Sequence, residues 1–125
     1  MEEPMTDGVL VTEHLAGDRV VGQLTLNVEK TLNSLTREMV DIISDRLEAW
    51  AGDDNVVAVL IDGAGEKAFC AGGDVQALRN SCLETPGGPC EYAEHFFARE
   101  YRMNYLLHTY RKPLICWGHG VVMGG

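Results

Sequence analysis

Two apolar, β-branched stretches open the pattern, Val9–Thr12 and Val20–Leu26, with Gly17 and Asp18 between them. Such runs around a turn signal predict an antiparallel hairpin. Residues 27–35 break the alternation and read as an irregular loop. From Thr36 the period changes: Met39, Ile43, Leu47 and Trp50 share one face at helical spacing, which predicts a helix over Thr36–Ala51. Thr36 offers a capping hydroxyl, Glu38 suits the positive end of the helix dipole, and Gly52 is a stop. Val56–Ile61 is a continuous apolar run, as expected of a strand buried on both faces. Residues 62–73 carry glycines at 63, 65, 72 and 73 and read as a loop. A short helix is expected to open at Asp74 and run over Val75–Arg79, followed by a Pro/Gly-rich loop over Ser81–Pro89. Tyr92, Phe96, Met103, Leu107 and Tyr110 then line one stripe of a long helix, Glu91–Arg111. Pro113 ends it, and Leu114–Trp117 reads as a last buried strand. Helices alternating with apolar strands predict an α/β layer architecture in one domain spanning 1–125.

Composition narrows the classes. The formal net charge of −9 argues against a general nucleic-acid binder, which needs a basic field. It leaves room for a small anionic ligand held by a local basic patch. No stretch approaches the roughly 20 apolar residues of a membrane span, so no membrane partner is expected. Met1–Asp7 holds three acids and no base, unlike a secretory signal or mitochondrial presequence. The cysteines at 70, 82, 90 and 116 form no C-x-x-C pair, so neither a metal site nor a dithiol motif is expected. Scattered thiols suit a reducing cytoplasm. The chain stops at Met123-Gly124-Gly125, straight after an apolar run, as if entering another element. The expectation is an N-terminal piece of a longer domain.

Two strands run into glycine-rich turns: Ala71-Gly72-Gly73-Asp74, and the stretch from His119-Gly120 to Gly124-Gly125. Glycine lets backbone approach a ligand closely, and a helix that opens after such a turn leaves N–H groups unpaired. Two facing turns of this kind can aim two amides at one oxygen, which makes an oxyanion hole. Ordinary tight turns are the plainer alternative. Gly63-Ala64-Gly65 with Ala68 also fits a G-x-G-x-x-A phosphate turn. A dinucleotide fold needs a helix of about three turns after it. Gly72 and Gly73 interrupt that helix, so this reading is set aside.

Residues Lys67-Ala68-Phe69-Cys70-Ala71-Gly72-Gly73-Asp74-Val75 resemble the first signature of the crotonase superfamily, which includes enoyl-CoA hydratases and isomerases. Lys112-Pro113 through His119-Gly120 to Gly125 resembles the second, and Lys30–Leu35 resembles the family's first CoA-contacting loop. The resemblance implies a ββα spiral, of which this chain is the N-terminal part. It implies that the amides of Gly73 and Gly125 hold the thioester oxygen, and that Leu32, Ala71, Asp74 and Val75 lie along the acyl-CoA. Lys30 and Lys67 become expected contacts for the CoA phosphates. Coenzyme A would arrive as part of the substrate, so no separate cofactor is implied.

Three details bend the match toward 3-hydroxyisobutyryl-CoA hydrolases, thioesterases of valine catabolism: His119-Gly120 with Met123, the double glycine at 72–73, and the helix Phe96–Tyr101. In that branch a helix glutamate, matching Glu100, contacts substrate. Helical phase supports a special place for Glu100. At 100° per residue it falls about 40° from Phe96 and about 20° from Leu107, on the apolar stripe, where a carboxylate must be paired or face a cavity. The catalytic acids of the resembling enzymes lie beyond the second signature, so turnover is not expected of residues 1–125 alone. His119 is expected to pack beneath the second turn, Cys70 to be a small buried hydrophobe, and His14, His95 and His108 to have no role. The alternatives are an enoyl-CoA hydratase or isomerase, and a non-catalytic acyl-CoA-binding module. Oligomeric state is not legible.

Overall fold

The computed structural model describes residues 8–84, 87 and 90–123. Strands β1 (Val9–Ala16) and β2 (Arg19–Leu26) pair antiparallel in register from Val9 opposite Leu26 to Ala16 opposite Arg19. Helix α1 (Arg37–Ala51) follows a short 3-10 turn at Glu29–Thr31. The Thr36 hydroxyl accepts a hydrogen bond from the Met39 amide at 3.2 Å, the N-cap that the sequence suggested. Strand β3 (Val56–Gly63) lies parallel to β2, and β5 (Leu114–Cys116) parallel to β3, giving the sheet order β1-β2-β3-β5. Two shorter strands, β4 (Ala68–Cys70) and β6 (Val121–Val122), form a second parallel pair. Helices α2 (Val75–Leu83) and α3 (Glu91–His108) connect β4 to β5.

One face of the large sheet is dry. Val9, Val11, Leu24, Leu26, Val59 and Ile61 pack with Met39, Val40, Ile43, Leu47 and Trp50 of α1 in one core. Burial of apolar side chains at roughly 1.5–3 kcal/mol each makes this layer the main source of stability. The other face carries polar contacts: the Thr25 hydroxyl donates to Asp62 at 2.7 Å, and the Gln23 amide donates to Thr25 at 3.4 Å. Helix α3 lies across α1, with Phe96 and Met103 inward. Arg99–Asp41 at 3.0 Å and Arg102–Glu48 at 2.7 Å bridge the two helices at the surface. The Tyr110 hydroxyl donates to the Leu47 carbonyl at 2.7 Å. The Lys112 ammonium donates to the carbonyls of Trp50 and Asp53, where it neutralises the negative end of α1.

Several sequence expectations change. β3 is not buried on both faces, since Val57 is 39% exposed and Leu60 only half-buried. β5 is not buried either: Ile115 is 54% exposed and the following Trp117 68%. Both residues carry apolar side chains toward the sheet face and edge that no helix among the described residues covers. The 62–73 stretch is not all loop, because β3 runs on to Gly63 and β4 forms inside it. α2 continues past Arg79 to Leu83, so the following loop starts later, and positions 85, 86, 88 and 89 of that loop lie outside the described residues. α3 stops at His108, short of Arg111.

Candidate active site

The first glycine turn is held by a mesh of amides that leaves one of them over. The Ala71 amide donates to the Leu32 carbonyl at 3.0 Å, the Gly72 amide to the Cys70 sulfur at 3.3 Å, and the Asp74 amide to the Leu35 carbonyl at 2.8 Å. The Leu35 amide in turn donates to the Gly72 carbonyl at 2.7 Å, so Leu35 and Gly73 form an isolated parallel bridge. In that pattern the residue between the two bonded positions turns its own N–H away from the bridge. Gly73 therefore presents a main-chain donor with no acceptor among the described residues. Asp74 closes the turn by capping α2, its carboxylate accepting from the Ala77 amide at 3.1 Å. Val75 is the first residue of that helix.

Glu100 meets this turn from α3. A methyl group built on Gly73 would lie 3.2 Å from Phe96 Cε1 and 3.7 Å from Glu100 Oε2, so the ring and the carboxyl flank the glycine directly. Glu100 is only 6% exposed and has no hydrogen-bond or ion-pair partner among the described residues. Burial pushes its carboxyl pKa above the ordinary value. Beside it the Cys70 thiol is pushed up, first by burial and further by Glu100, while the Gly72 amide opposes the shift. This agrees with Cys70 as an inert buried thiol. A cavity of about 120 Å³ lies next to Cys70, lined by Leu26, Ile43, Met103, Leu107 and Met123 among others.

On the other side of the turn runs an open groove of about 480 Å³, bounded by Lys30, Leu32, Asn33, Gly65, Glu66 and Lys67 among others. The two lysines singled out for phosphate contact thus share one groove, with Leu32 between the groove and the Ala71 amide. Leu32 is 37% exposed and adopts a left-handed backbone with φ 54°. Glu29 and Glu66 also border the groove and offset the two lysine charges.

Asn33 is what the sequence reading missed. It is 1% exposed and left-handed, with φ 57°. Its Oδ1 accepts from the Val28 amide at 2.8 Å, and its Nδ2 donates to the carbonyls of Ala64 at 3.1 Å and Ala68 at 3.0 Å. The side chain thus staples the Leu32 loop to the Lys67 loop. Asparagine tolerates the left-handed region better than most residues, which is the only signal that marked it.

The His119 side chain bonds back to the loop before the first glycine turn. Its Nε2 lies 2.7 Å from the Gly65 carbonyl, which can only accept, so that nitrogen carries the proton. The Phe69 amide donates to the His119 carbonyl at 2.8 Å and the Val121 amide to the Lys67 carbonyl at 3.0 Å. Gly120 has φ +60°, and an added methyl would sit 2.2 Å from the Lys67 carbonyl, so no larger residue fits. The second signature is in this way sewn to the first. Gly125, the expected second hole donor, lies outside the described residues. Among the described residues no group of three His, Cys, Asp or Glu side chains has the arrangement of a metal site.

A model of the enoyl-CoA hydratase/isomerase family matches residues 21–125. This chain belongs to that family. Among curated proteins it is similar to "3-hydroxyisobutyryl-CoA hydrolase, mitochondrial" of Danio rerio, 41% identical over 104 residues, covering 83% of this chain and 26% of the relative. It is also similar to small ribosomal subunit protein mS47 of Neurospora crassa, 40% identical over 100 residues, covering 80% of this chain and 20% of the relative. Among solved structures it resembles a carnitinyl-CoA dehydratase from Mycobacterium thermoresistibile, with a TM-score of 0.81 and 44% identity over 94% of this chain and 32% of that one. The crotonase-like fold expected from the two signatures is the fold observed. The chain spans about a quarter of the length of the curated family relatives it matches, aligning with an N-terminal part of them.

Proposed function

We propose that these residues form the thioester-holding part of an acyl-CoA hydrolase acting on a short, branched 3-hydroxyacyl-CoA. One observation carries the reading: a main-chain amide left without an acceptor at Gly73 sits beside a buried, unpaired carboxyl, Glu100. The amide suits the thioester oxygen, which gains negative charge as the carbonyl is attacked. Under this reading Gly125 supplies the second donor. Leu32 and Ala71 line the path of the pantetheine arm, with Asp74 and Val75 alongside, and Lys30 and Lys67 meet the phosphates. The Glu100 carboxyl, on the Gly73 side of α3, is placed to accept a hydrogen bond from a substrate hydroxyl. Thioester cleavage needs a base or nucleophile; under this reading the water-activating acids belong to the part of the family domain outside the matched quarter of the relatives.

An enoyl-CoA hydratase or isomerase is the second reading, favoured by the 44% identity to a carnitinyl-CoA dehydratase. A non-catalytic module is the third, favoured by the ribosomal relative at 40%. A panel of acyl-CoAs offered to the complete protein separates all three. Release of free CoA thiol from 3-hydroxyisobutyryl-CoA supports the hydrolase. Water addition to an enoyl-CoA without thiol release sinks it, and binding with no turnover on any thioester supports the module.

A further inference from the structure

Helix α3 has an outer face that the acyl-CoA site does not use. Phe96, Glu100 and Met103 are its buried residues. At 100° per residue Tyr101 and Tyr105 lie about 160° from Met103, on the opposite side. Phe97 is 41% exposed, Tyr101 64% and Tyr105 71%, so three aromatic rings stand in water on one helix face. The Phe97 and Tyr101 rings stack at 5.9 Å with an interplanar angle of 22°, which joins them into one strip. Glu94 and His108, both exposed, continue the strip at its two ends. The order Glu94, Phe97, Tyr101, Tyr105, His108 advances in steps of 3, 4, 4 and 3, the steps of a helix-packing seam. The strip is symmetric about Tyr101. Reversed, it sets aromatic on aromatic and carboxylate on imidazole.

We propose that this strip is a contact surface for a second copy of the same chain, with two α3 helices packed antiparallel about a two-fold axis at Tyr101. In a two-fold contact, residue i meets j and j meets i. Tyr101 then meets its own copy, while Phe97 meets Tyr105 and Glu94 meets His108, each of these pairs occurring twice. The His108 ring donates a hydrogen bond to the Glu94 carboxylate. Antiparallel packing also sets the positive end of each helix dipole beside the negative end of the other. The side-chain charge follows the same sense, with Glu91 and Glu94 in the first turn and His108 in the last. Arg99 and Arg102 are drawn toward α1 by Asp41 and Glu48, which keeps their cations off the seam. An unrelated partner would require no symmetry in the strip, so the symmetry selects a second copy. An aromatic side chain buries about 150–250 Å² when covered, so the exposed parts of the three rings come to about 600–900 Å² over both copies. Stable interfaces bury about 1,200–2,000 Å². The flanking polar residues add some area, and the dimer is therefore weak and reversible.

Sedimentation of the complete protein over a concentration series tests the first point, and concentration-dependent association is expected. Tyr101→Cys, oxidised with copper phenanthroline, is expected to give a covalent dimer that peptide mapping by mass assigns to position 101 of both copies. Tyr105→Cys alone should not link to itself through position 105, yet should link to Phe97→Cys when the two are mixed. His108→Glu sets acid against acid and Glu94→Lys sets base against base, and each is expected to weaken association roughly tenfold or more. The double variant, Glu94→Lys with His108→Glu, is expected to recover most of it. Both changes oppose the dipole of α3 itself, so recovery cannot come from a better helix. A protein that sediments unchanged at every soluble concentration overturns the proposal. So does a folded Tyr101→Cys protein that links only through other positions, or a double variant that associates no better than the single ones. Tyr101 lies outside the core, and the wild-type sedimentation decides the first point even where a variant fails to fold. None of these outcomes bears on the acyl-CoA reading.

Discussion

Replacing Asn33 by alanine removes three hydrogen bonds from a side chain that is 1% exposed. A typical buried bond contributes about 1 kcal/mol net, and leaving its partner unsatisfied costs about 1–3 kcal/mol. Three such bonds place the loss near 3 kcal/mol if water reaches some of the stranded groups. Alanine must also hold φ 57°, which asparagine tolerates more readily, adding about 1 kcal/mol. The expected loss is therefore about 3–4 kcal/mol. In urea, with a slope of roughly 1–3 kcal/mol per molar, the midpoint falls by about 1–4 M. Asn33→Gly deletes the same bonds without the strain and should still lose more than about 2 kcal/mol. Asn33→Asp keeps the acceptor for Val28 but turns a buried anion onto two carbonyls, so at neutral pH it should be worse than alanine. The assay is equilibrium urea denaturation followed by far-UV circular dichroism, with hydrogen exchange at the Val28 amide as a local readout. A glycine variant that loses under about 1 kcal/mol, or a tolerated aspartate, would refute the staple argument.

Other outcomes follow from the same contacts. Glu100 has a folded pKa raised above its ordinary 4.5, so the native state holds the proton longer than the unfolded chain does. Stability should fall as pH rises from the ordinary value through the raised one and then level off. Glu100→Gln should remove that slope and be the more stable protein at pH 7, measured by denaturation across pH 4–8. Lys112→Met should cost only about 1 kcal/mol, by removing the ammonium from the negative end of α1 while the Trp50 and Asp53 carbonyls keep the amides of Asp53 and Val56, seen as a lower Tm with an unchanged helix signal before melting. Gly120→Ala should cost about 3 kcal/mol or more through the clash with Lys67 and the left-handed φ, and should loosen the Val121 amide in exchange.

Much of the architecture was legible because its causes are local. The apolar runs of β1 and β2, the helical spacing of Met39, Ile43, Leu47 and Trp50 and the cap at Thr36 all act over short stretches of chain. The helical phase of Glu100 placed it inward before any coordinates, and it lies against Gly73. What escaped depends on distant partners. β4 is three residues long and exists because β6, some fifty residues on, pairs with it. Val56–Ile61 announced a strand, yet an apolar run does not say how many of its faces are covered. Asn33 looked like one more loop residue, because the carbonyls that bury it belong to positions 64 and 68.

The two tryptophans sit at opposite extremes, Trp50 in the core at 2% exposure and Trp117 at 68% just past β5. The protein thus contains a pair of optical probes that sense different events. Emission from Trp50 is shielded from aqueous quenchers and shifts only when the interior opens. Emission from Trp117 is red-shifted and quenchable for as long as the rim after β5 stays wet, and moves to the blue when something settles over it. A single Trp117→Phe change separates the two signals, so seating of further protein on that rim can be followed apart from unfolding.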